Sequence, residues 1–418
     1  LSETDAKYGG YCRSIAHNIL KNREDSEECV SDTWLHAWNA MPPQRPSILS
    51  SFLGRITRNL SFDRCRRQNA EKRGGGSLPL ALDELSECVP APGRVEQALE
   101  ARELAEAIDA WSRKTGGYIR KDDLAEYKPQ WVEPIHTNYR GYDVWEIPPN
   151  GHGLVVLMAM NIAQGFDFAE RDTVESFHRQ IEAMKLAFTD GRQYIADPRF
   201  MKTDVSYWLS DAYADQRRSL IGEQAVLPTP TDANNGGTVY LCAADEEGNM
   251  VSYIQSNFDG FGSGIVIPGR GIALNDRGSN FSMDRNSDNC VGPRKKSYHT
   301  IIPGFLTKDG QPVGPFGVMG GFMQPQGQMQ VLMNTIDYHL NPQAALDAPR
   351  WQWVGGKRIE VEPAVPSEIV EGLRARGHDV VVNPNIISYG RGQIIWRNDE
   401  GVLMGATEPR ADGVVAAW

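Results

Sequence analysis

The sequence predicts an α+β domain over about residues 115–418, preceded by an all-α region. From residue 1 to about residue 94, apolar side chains recur at helical spacing. Further along, short strand-like segments alternate with glycine- and proline-rich turns and a few long helices. The 418 residues are 40% hydrophobic and 23% charged, which is an ordinary globular composition. At about 100–200 residues per domain, this length accommodates two to four domains.

The N-terminal region is predicted to be helical throughout. Two helices are expected at Tyr8–Leu20 and Asp25–Met41, the second ended by Met-Pro-Pro. A third runs from Phe52 to about Ala70, with Ser50 or Ser51 as its cap. Residues 74–94 are rich in glycine, proline and acidic side chains and predict a linker.

A further helix is predicted from about Val95 to Arg113, ending at Gly116-Gly117. The remaining chain has the mixed pattern of an α+β domain. Its clearest helices are Leu154–Gln164 and Thr173–Phe188, and its clearest strands are Thr238–Ala244, Met250–Ser256 and a segment near Ile301–Leu306.

Charge and composition exclude several classes of protein. The net charge of −11 disfavours generic nucleic-acid binding, although a local basic face remains compatible with it. No apolar run approaches a membrane span, and the start lacks a secretory leader, so the cytoplasm is the default location. The six cysteines lack zinc-ligand spacing and the eight histidines form no metal motif, so the sequence gives a metal site weak support.

One basic segment stands out in this acidic chain. Seven basic and two acidic residues lie between Arg55 and Arg73. Arg55, Arg58 and Arg66 can share one helical face, which suits phosphate contacts. A solvated surface helix explains the same composition, so both interpretations stay open at this point.

Two neighbouring stretches resemble region 2 of sigma-70-type factors of the extracytoplasmic-function group. They are Asp25-Ser-Glu-Glu-Cys-Val-Ser-Asp-Thr-Trp-Leu-His-Ala-Trp38 and Ser51-Phe-Leu-Gly-Arg-Ile-Thr-Arg-Asn-Leu-Ser-Phe-Asp-Arg-Cys-Arg-Arg67. The resemblance implies that Asp32 and Trp34 contact core RNA polymerase. It also implies a promoter −10 DNA face that comprises Arg55, Arg58, Asn59, Arg64, Arg66 and Arg67. No second helix-turn-helix domain is recognisable after residue 110, so this part alone is expected to initiate transcription poorly.

A threonine near the middle of the chain is a candidate nucleophile. Thr238 follows Asn-Asn-Gly-Gly and opens a predicted strand. A threonine at a new N-terminus carries its own base, because its α-amine has a pKa near 8. An unremarkable β-forming threonine is the alternative. Gly317-Val-Met-Gly320-Gly321 offers backbone N–H groups of the kind that an oxyanion hole needs.

Residues 115–418 resemble the γ-glutamyltranspeptidase family of N-terminal-nucleophile hydrolases. Besides the threonine and glycine motifs, the likeness rests on segments spread along the chain. They are Thr115-Gly-Gly-Tyr, Pro148-Pro-Asn-Gly-His-Gly153, Glu182-Ala-Met-Lys-Leu-Ala-Phe188, Ala348-Pro-Arg350 and Gly405-Ala-Thr-Glu-Pro-Arg410.

The resemblance implies an αββα sandwich and a precursor that cleaves itself between Gly237 and Thr238. The two pieces would stay together as a heterodimer. Thr238 would attack a γ-glutamyl amide, and water or an amine would take the acyl group. Ser256 would hydrogen-bond the nucleophile, and Gly320 and Gly321 would stabilise the oxyanion. The resemblance implies neither a metal nor an organic cofactor.

Departures from the family pattern fall on the predicted substrate-binding residues. These are Arg277, Asn280, His299 and Thr300; Asn280 replaces an Asp and His299-Thr300 replace two Ser. A neutral Asn loses a charge-assisted bond to the substrate ammonium. The changes favour a divergent acylase, in which Arg277 would bind an acyl carboxylate.

The family's large subunit normally begins with about two hundred more residues, and here the sigma-like region stands in their place. The sandwich is therefore expected to be incomplete. The predicted parts are a sigma-like domain (1–73), a linker and junction helix (74–114), a partial large-subunit part (115–237) and a small-subunit part (238–418). Three interpretations remain: an amide hydrolase, a sigma-like transcription protein, and an inactive chimera.

Overall fold

The computed structural model describes residues 2–40, 49, 52–54, 56–58, 60–61, 64, 95–228 and 237–417. The chain divides into two compact units. The first comprises Leu1–Tyr127 with the short segment Pro268–Arg270, and the second comprises Lys128–Ile267 with Gly271–Ala417. Within the described residues, no helix is both long enough and apolar enough to cross a lipid bilayer.

The first unit is helical. Its complete helices are α1 (Ser2–Leu20), α2 (Arg23–Ala40), α3 (Val95–Thr115) and α4 (Lys121–Glu126). Residues 52–54, 56–58 and 60–61 are also helical, where the third helix was predicted. The apolar stripes of α1, α2 and this segment form a small core, whose buried members are Cys12, Ala16, Cys29, Val30, Ala37, Phe52 and Leu53.

The second unit is built on a six-stranded antiparallel sheet. Its strands are β1 Ile135–Tyr139, β2 Tyr142–Glu146, β7 Gly304–Lys308, β8 Gln311–Met319, β12 Arg391–Arg397 and β13 Leu403–Thr407. They lie side by side in the order β1-β2-β7-β8-β12-β13. The segment expected near Ile301–Leu306 is thus β7, which starts three residues later.

The second unit also contains the helices α5 (Gly153–Gln164), α6 (Val174–Tyr194), α7 (Val205–Trp208), α8 (Asp211–Arg218), α9 (Met323–Ile336), α10 (Pro342–Asp347) and α11 (Ser367–Ala375). Helix α5 packs against β1 and β2, α9 against β8, and α10 against β12 and β13, whereas α6, α7 and α8 pack on α5 and α11 packs on α6. Helix α5 is apolar around most of its circumference, and ten of its residues are buried. Thr173 caps α6 by accepting a hydrogen bond from the Ser176 amide.

A second β layer consists of the hairpin formed by β3 (Gly237–Ala244) and β4 (Met250–Phe258). The Tyr240 ring of β3 lies directly against Gly317 of β8. Strand alternation places the neighbouring Val318 on the opposite face of β8, where it contacts Gly327 of α9. Among the described residues the layers therefore run helices, six-stranded sheet, hairpin, which confirms the expected α+β class.

Two small sheets complete the second unit. Strands β9 (Trp351–Gly355), β10 (Arg358–Val361) and β11 (Asp379–Val382) form one, and β5 (Val266–Ile267) and β6 (Ile272–Ala273) form the other. A 3-10 turn at Arg277–Asn280 follows β6.

Candidate active site

The predicted nucleophile lies at a β-bulge between the two hairpin strands. Gly237 pairs with Phe258, and Val239 pairs with Gln255. Thr238 alone therefore faces both Ser256 and Asn257 across the ladder. Residues 229–236, which include the Asn-Asn-Gly part of the predicted cleavage motif, lie outside the described residues.

Arg277 holds Ser256 with two hydrogen bonds from one guanidinium nitrogen. Its Nη2 donates to the Ser256 carbonyl oxygen at 3.1 Å and to the hydroxyl oxygen at 2.5 Å. The cation also lies over the Phe258 ring, 5.8 Å from the ring centroid. The residue that faces Thr238 is thereby fixed by a charged side chain.

Three predicted substrate-binding residues each keep a buried polar atom without a hydrogen-bond partner among the described residues. The atoms are Nη1 of Arg277, Nδ2 of Asn280 and Oγ1 of Thr300. The first two are donors only, and the hydroxyl can donate as well. Native proteins rarely leave such atoms unsatisfied, so each of the three can donate a hydrogen bond to water or to a ligand that accepts one.

Asn289 connects the elements that carry these atoms. Its Nδ2 donates to the Asn280 carbonyl oxygen at 2.6 Å, and its Oδ1 accepts from the Tyr298 amide at 3.0 Å. Tyr298 precedes His299-Thr300, so the 3-10 turn and this strand-like segment are bound to each other.

His299 is buried beside positive charge. Burial, followed by the charges of Arg277 and Lys296, lowers the pKa of its imidazole to about 3. Its Nδ1 accepts a hydrogen bond from the Ile301 amide at 3.1 Å. Its backbone pairs with the Pro-Asn-Gly-His motif, since the His299 amide donates to Asn150 and the His152 amide donates to His299. The imidazole is therefore neutral and adds no second positive charge beside Arg277.

The glycine turn predicted as an oxyanion hole joins β8 to α9. Gly320 and Gly321 have φ values of 139° and 57°, a region that favours glycine. A Cβ at Gly320 would lie 3.1 Å from the Gly390 Cα, so the turn also needs glycine for close packing. The turn leads into the N-terminus of a 14-residue helix, whose dipole favours negative charge there.

Phe322 packs the predicted residues into one site. Its ring centroid lies 6.5 Å from that of Phe258, which pairs with Gly237, and 6.3 Å from that of Tyr298. The Arg192 guanidinium lies 4.6 Å from the same centroid. The hairpin, the glycine turn and the His299-Thr300 segment therefore meet around one aromatic ring.

Sequence reasoning missed the contributions of Phe322 and Arg192, because neither belongs to a motif with a chemical signature. Only their places in the sequence could have indicated them: Phe322 follows the glycine pair, and Arg192 lies one helical turn beyond Phe188.

A second missed feature is a buried ionic network that explains two of the sequence motifs. Arg350 donates to Glu408 at 2.8 Å and to the carbonyl oxygens of Tyr389 and Gly390 at 2.9 and 3.1 Å. Arg410 pairs with Glu362 and Glu408. The Ala-Pro-Arg and Thr-Glu-Pro-Arg motifs thus hold the backbone against which Gly320 packs.

A buried histidine cluster lies elsewhere in this unit. The ligand atoms of His178, Glu182 and His378 all lie within 4.8 Å of one another. Lys185 pairs with Glu182, and His178 bonds to His378 and to the Gly222 carbonyl oxygen, both at 2.8 Å. Because the Lys185 cation already neutralises the carboxylate, the cluster has the character of an internal ion pair flanked by neutral imidazoles.

In the helical unit, the predicted contact residues have different environments. Asp32 and Trp34 lie on α2, where Trp34 lines a groove with Val30, Leu35 and Trp38. Arg58 is exposed. Arg64 instead pairs with Asp25 at 3.3 Å, with Glu28 and with Asp32 at 3.9 Å. Arg55, Asn59, Arg66 and Arg67 lie outside the described residues.

Two known family models match separate parts of the chain. Residues 97–418 match the family model "Gamma-glutamyltranspeptidase", and residues 6–71 match "Sigma-70 region 2".

Individual relatives resemble most of the chain. The glutathione hydrolase-like YwrD proenzyme of Bacillus subtilis is 35% identical over 83% of this chain and 67% of its own length. The acylase ACY 1 proenzyme of Pseudomonas sp. strain SE83 is 33% identical over 77% of this chain. The chain spans only 58% of that acylase.

Among solved structures, the cephalosporin acylase from Bacillus halodurans superimposes with a TM-score of 0.74 and 51% identity. The match covers 93% of this chain and 67% of the acylase. About a third of that acylase therefore has no counterpart here.

Proposed function

The chain belongs to the γ-glutamyltranspeptidase family, and from this membership we propose that it is an amide hydrolase or acyltransferase that uses Thr238 as its nucleophile. The observation that carries the proposal is the bulge that sets Thr238 opposite Ser256, which Arg277 holds in place. The glycine turn at 320–321 lies at the same aromatic cluster and supports a role as oxyanion donor.

The nucleophile is expected to arise by self-cleavage. The Thr238 hydroxyl attacks the Gly237 carbonyl carbon, and the peptide C–N bond breaks to leave an ester and a free α-amine. Water then hydrolyses the ester. In turnover, that amine takes the hydroxyl proton, the oxygen attacks the substrate amide, and the leaving amine departs with a proton. Water or a second amine releases the acyl group.

The three unpartnered polar atoms support an acyl group that carries a carboxylate. Arg277 supplies a cationic donor, Asn280 a neutral one, and Thr300 a hydroxyl. Since Asn280 is uncharged and His299 is neutral, this arrangement gives no strong partner to a substrate ammonium. A dicarboxylic monoamide fits it better than a γ-glutamyl amide.

The test is the intact mass of the purified chain beside a Thr238→Ala variant. We expect two polypeptides, residues 1–237 and 238–418, that are absent from the variant. The cleaved protein should then hydrolyse a glutaryl anilide faster than a γ-glutamyl anilide. A single uncleaved chain would reject the nucleophile, and equal or reversed rates would reject the acyl preference alone.

The match of residues 6–71 to sigma region 2 supports a second function, binding of core RNA polymerase and −10 promoter DNA. Asp32 and Trp34 are the proposed polymerase contacts. The proposed DNA contacts are Arg55, Arg58, Asn59, Arg64, Arg66 and Arg67. A pull-down of core polymerase by the full chain, repeated with Trp34→Ala, tests this function independently of any hydrolase activity.

A further inference from the structure

The side-chain oxygen of Ser256 accepts hydrogen bonds from two donors. Nη2 of Arg277 donates to this Oγ at 2.5 Å, and the Phe258 amide donates to it at 3.3 Å. A serine hydroxyl has two lone pairs and one hydrogen. Both lone pairs are therefore occupied, and the remaining hydrogen-bonding capacity of Ser256 is its own hydrogen.

Neither donor can exchange its role with the serine. A guanidinium carries five N–H groups and no acceptor, and a backbone amide nitrogen likewise only donates. Burial lowers the pKa of Arg277, but a guanidinium starts from so high a value that it stays protonated at neutral pH. Ser256 is therefore restricted to donating, and it cannot act as the base that removes the proton from the Thr238 hydroxyl.

The two donors are held in place by their surroundings. The Phe258 ring is buried, with the Arg277 guanidinium carbon 5.8 Å and the Phe322 ring centroid 6.5 Å from its own centroid. The Phe258 backbone has a φ of 84°, a value that non-glycine residues rarely adopt and that persists only where the surrounding structure enforces it. Nη2 of Arg277 is also bound to the Ser256 carbonyl oxygen at 3.1 Å. Together these contacts fix the direction in which Ser256 can donate.

The strand opposite Ser256 carries the proposed cleavage site. Gly237 pairs with Phe258, and Thr238 at the adjoining bulge faces Ser256. When a hydroxyl adds to a peptide carbonyl, negative charge collects on the carbonyl oxygen. A hydroxyl that can only donate, and that a neighbouring cation polarises, is suited to stabilise that charge.

We propose that Arg277 is a positioning residue for self-cleavage, because it directs the Ser256 hydrogen to the Gly237 carbonyl oxygen. The proposal rests on Thr238 as the nucleophile. As the Thr238 oxygen bonds to the carbonyl carbon, the π electrons move to the Gly237 oxygen, to which Ser256 donates while keeping its proton. The C=O bond then re-forms, the C–N bond breaks, and its nitrogen leaves with the proton that the hydroxyl gave up. No acyl substrate takes part, so this role is separate from carboxylate recognition by Nη1 of Arg277.

The experiment follows self-cleavage of the full chain by gel electrophoresis after a pulse of cell-free translation. Ser256→Ala should slow the conversion to the two fragments about 100-fold, as the loss of one oxyanion donor does. Arg277→Met should slow it about tenfold or more. In the Ser256→Ala background, Arg277→Met should change the rate by less than about twofold, because Arg277 acts through the serine hydroxyl. Arg285→Met, at an exposed position further along the chain, should cleave at the unaltered rate.

Two results would overturn this proposal while leaving Thr238 as the nucleophile. One is an unaltered cleavage rate in Arg277→Met. The other is equal slowing by Arg277→Met in both backgrounds, which would assign Arg277 a structural role through the Ser256 carbonyl oxygen, since that atom remains in Ser256→Ala. A chain that never cleaves, even unaltered, would reject the proposed function and this inference together.

A second variant keeps the test decisive if circular dichroism shows that Arg277→Met does not fold. Arg277→Gln retains a polar side chain, but its amide oxygen can accept the serine hydrogen and so no longer forces Ser256 to donate across the hairpin. Its cleavage should be slower than that of the unaltered chain only while Ser256 is present. Cleavage of Arg277→Gln at the unaltered rate would again count against the positioning role.

Discussion

Arg350 donates a hydrogen bond to the carbonyl oxygen of Gly390 at 3.1 Å, and the Gly390 Cα is the atom that a side chain at Gly320 would strike. A fully buried cation thus sets the position of the proposed oxyanion turn without touching it. This relationship accounts for an Ala-Pro-Arg motif that carries no nucleophile, acid or base.

Replacing Arg350 with Met is expected to lower the free energy of unfolding by about 3–5 kcal/mol. The change leaves buried Glu408 with one cation fewer, and breaking a buried pair from one side costs about that much. Urea titration followed by tryptophan fluorescence measures the loss. Arg358→Met is the control, because its pair with Asp379 is exposed and long at 3.8 Å, so a change of under about 1 kcal/mol is expected. Equal losses in both variants would contradict the role of the network.

Arg277→Met is expected to reduce kcat/KM for a glutaryl anilide by about 10–150-fold, as the loss of a charge-assisted hydrogen bond of about 1.5–3 kcal/mol implies. A butyryl anilide, which lacks the carboxylate, should lose much less. The ratio of the two rates is the readout, since loosening Ser256 affects both substrates alike. Arg285→Met, at an exposed position, serves as the control. An unchanged ratio would remove Arg277 from acyl recognition.

The free energy of unfolding of the second compact unit should fall as the pH drops from about 6.5 towards 3. Burial, then the charges of Lys185, His178, Lys357 and Arg376, lowers the pKa of His378 to about 3. An unfolded histidine has a pKa near 6.5, so the unfolded chain binds more protons in that window. The contribution of His378 to the change in the free energy of unfolding with pH approaches about 1.4 kcal/mol per pH unit below pH 6 and vanishes above pH 7.

Urea midpoints measured between pH 7.5 and pH 5 test this slope. His378→Gln should flatten it, whatever the variant does to stability at pH 7.5. His136→Gln, at an exposed site, should leave the slope as it is. If the stability of His378→Gln fell with pH as steeply as that of the unaltered chain, protonation of His378 would not be the cause.

In the helical unit, Arg58 and Arg64 are expected to behave differently, although the sequence resemblance places both on the DNA face. Arg58 is exposed, so Arg58→Ala should weaken binding to −10 promoter DNA and reduce its salt dependence by about one counterion. Arg64 is engaged by Asp25 and Glu28, so Arg64→Ala should mainly lower the melting temperature of this unit. Fluorescence anisotropy at several salt concentrations separates the two outcomes. Similar effects of both variants on binding would assign Arg64 to the DNA face after all.

Much of the fold could be predicted because local chemistry was unambiguous. Glycine positions marked the turns, and the apolar run at Leu154–Gln164 marked the buried helix now seen as α5. Strand β4 extends two residues beyond the predicted Ser256, because Phe258 still pairs across the bulge.

Local sequence patterns could not predict which residues far apart in the chain contact each other. Nothing near Arg277 predicts that it binds Ser256, 21 residues earlier, since that contact depends on how the 3-10 turn returns to the hairpin. The pairing of Arg350 with Glu408 spans 58 residues and is equally invisible in either motif. Arg64 was expected on a DNA face from resemblance alone, and its acidic neighbours on α2 became apparent only in three dimensions.

The order of strands in the large sheet determines what a cut before Thr238 would accomplish. Strand β2 lies upstream of that point and β7 lies downstream, yet the two are antiparallel neighbours, with Tyr142 opposite Lys308 and Trp145 opposite Phe305. Scission would therefore turn the middle of a continuous sheet into a subunit interface without moving a strand. The two products would be interlocked from the moment they exist, and the chain would gain a new amino terminus while its architecture stays the same.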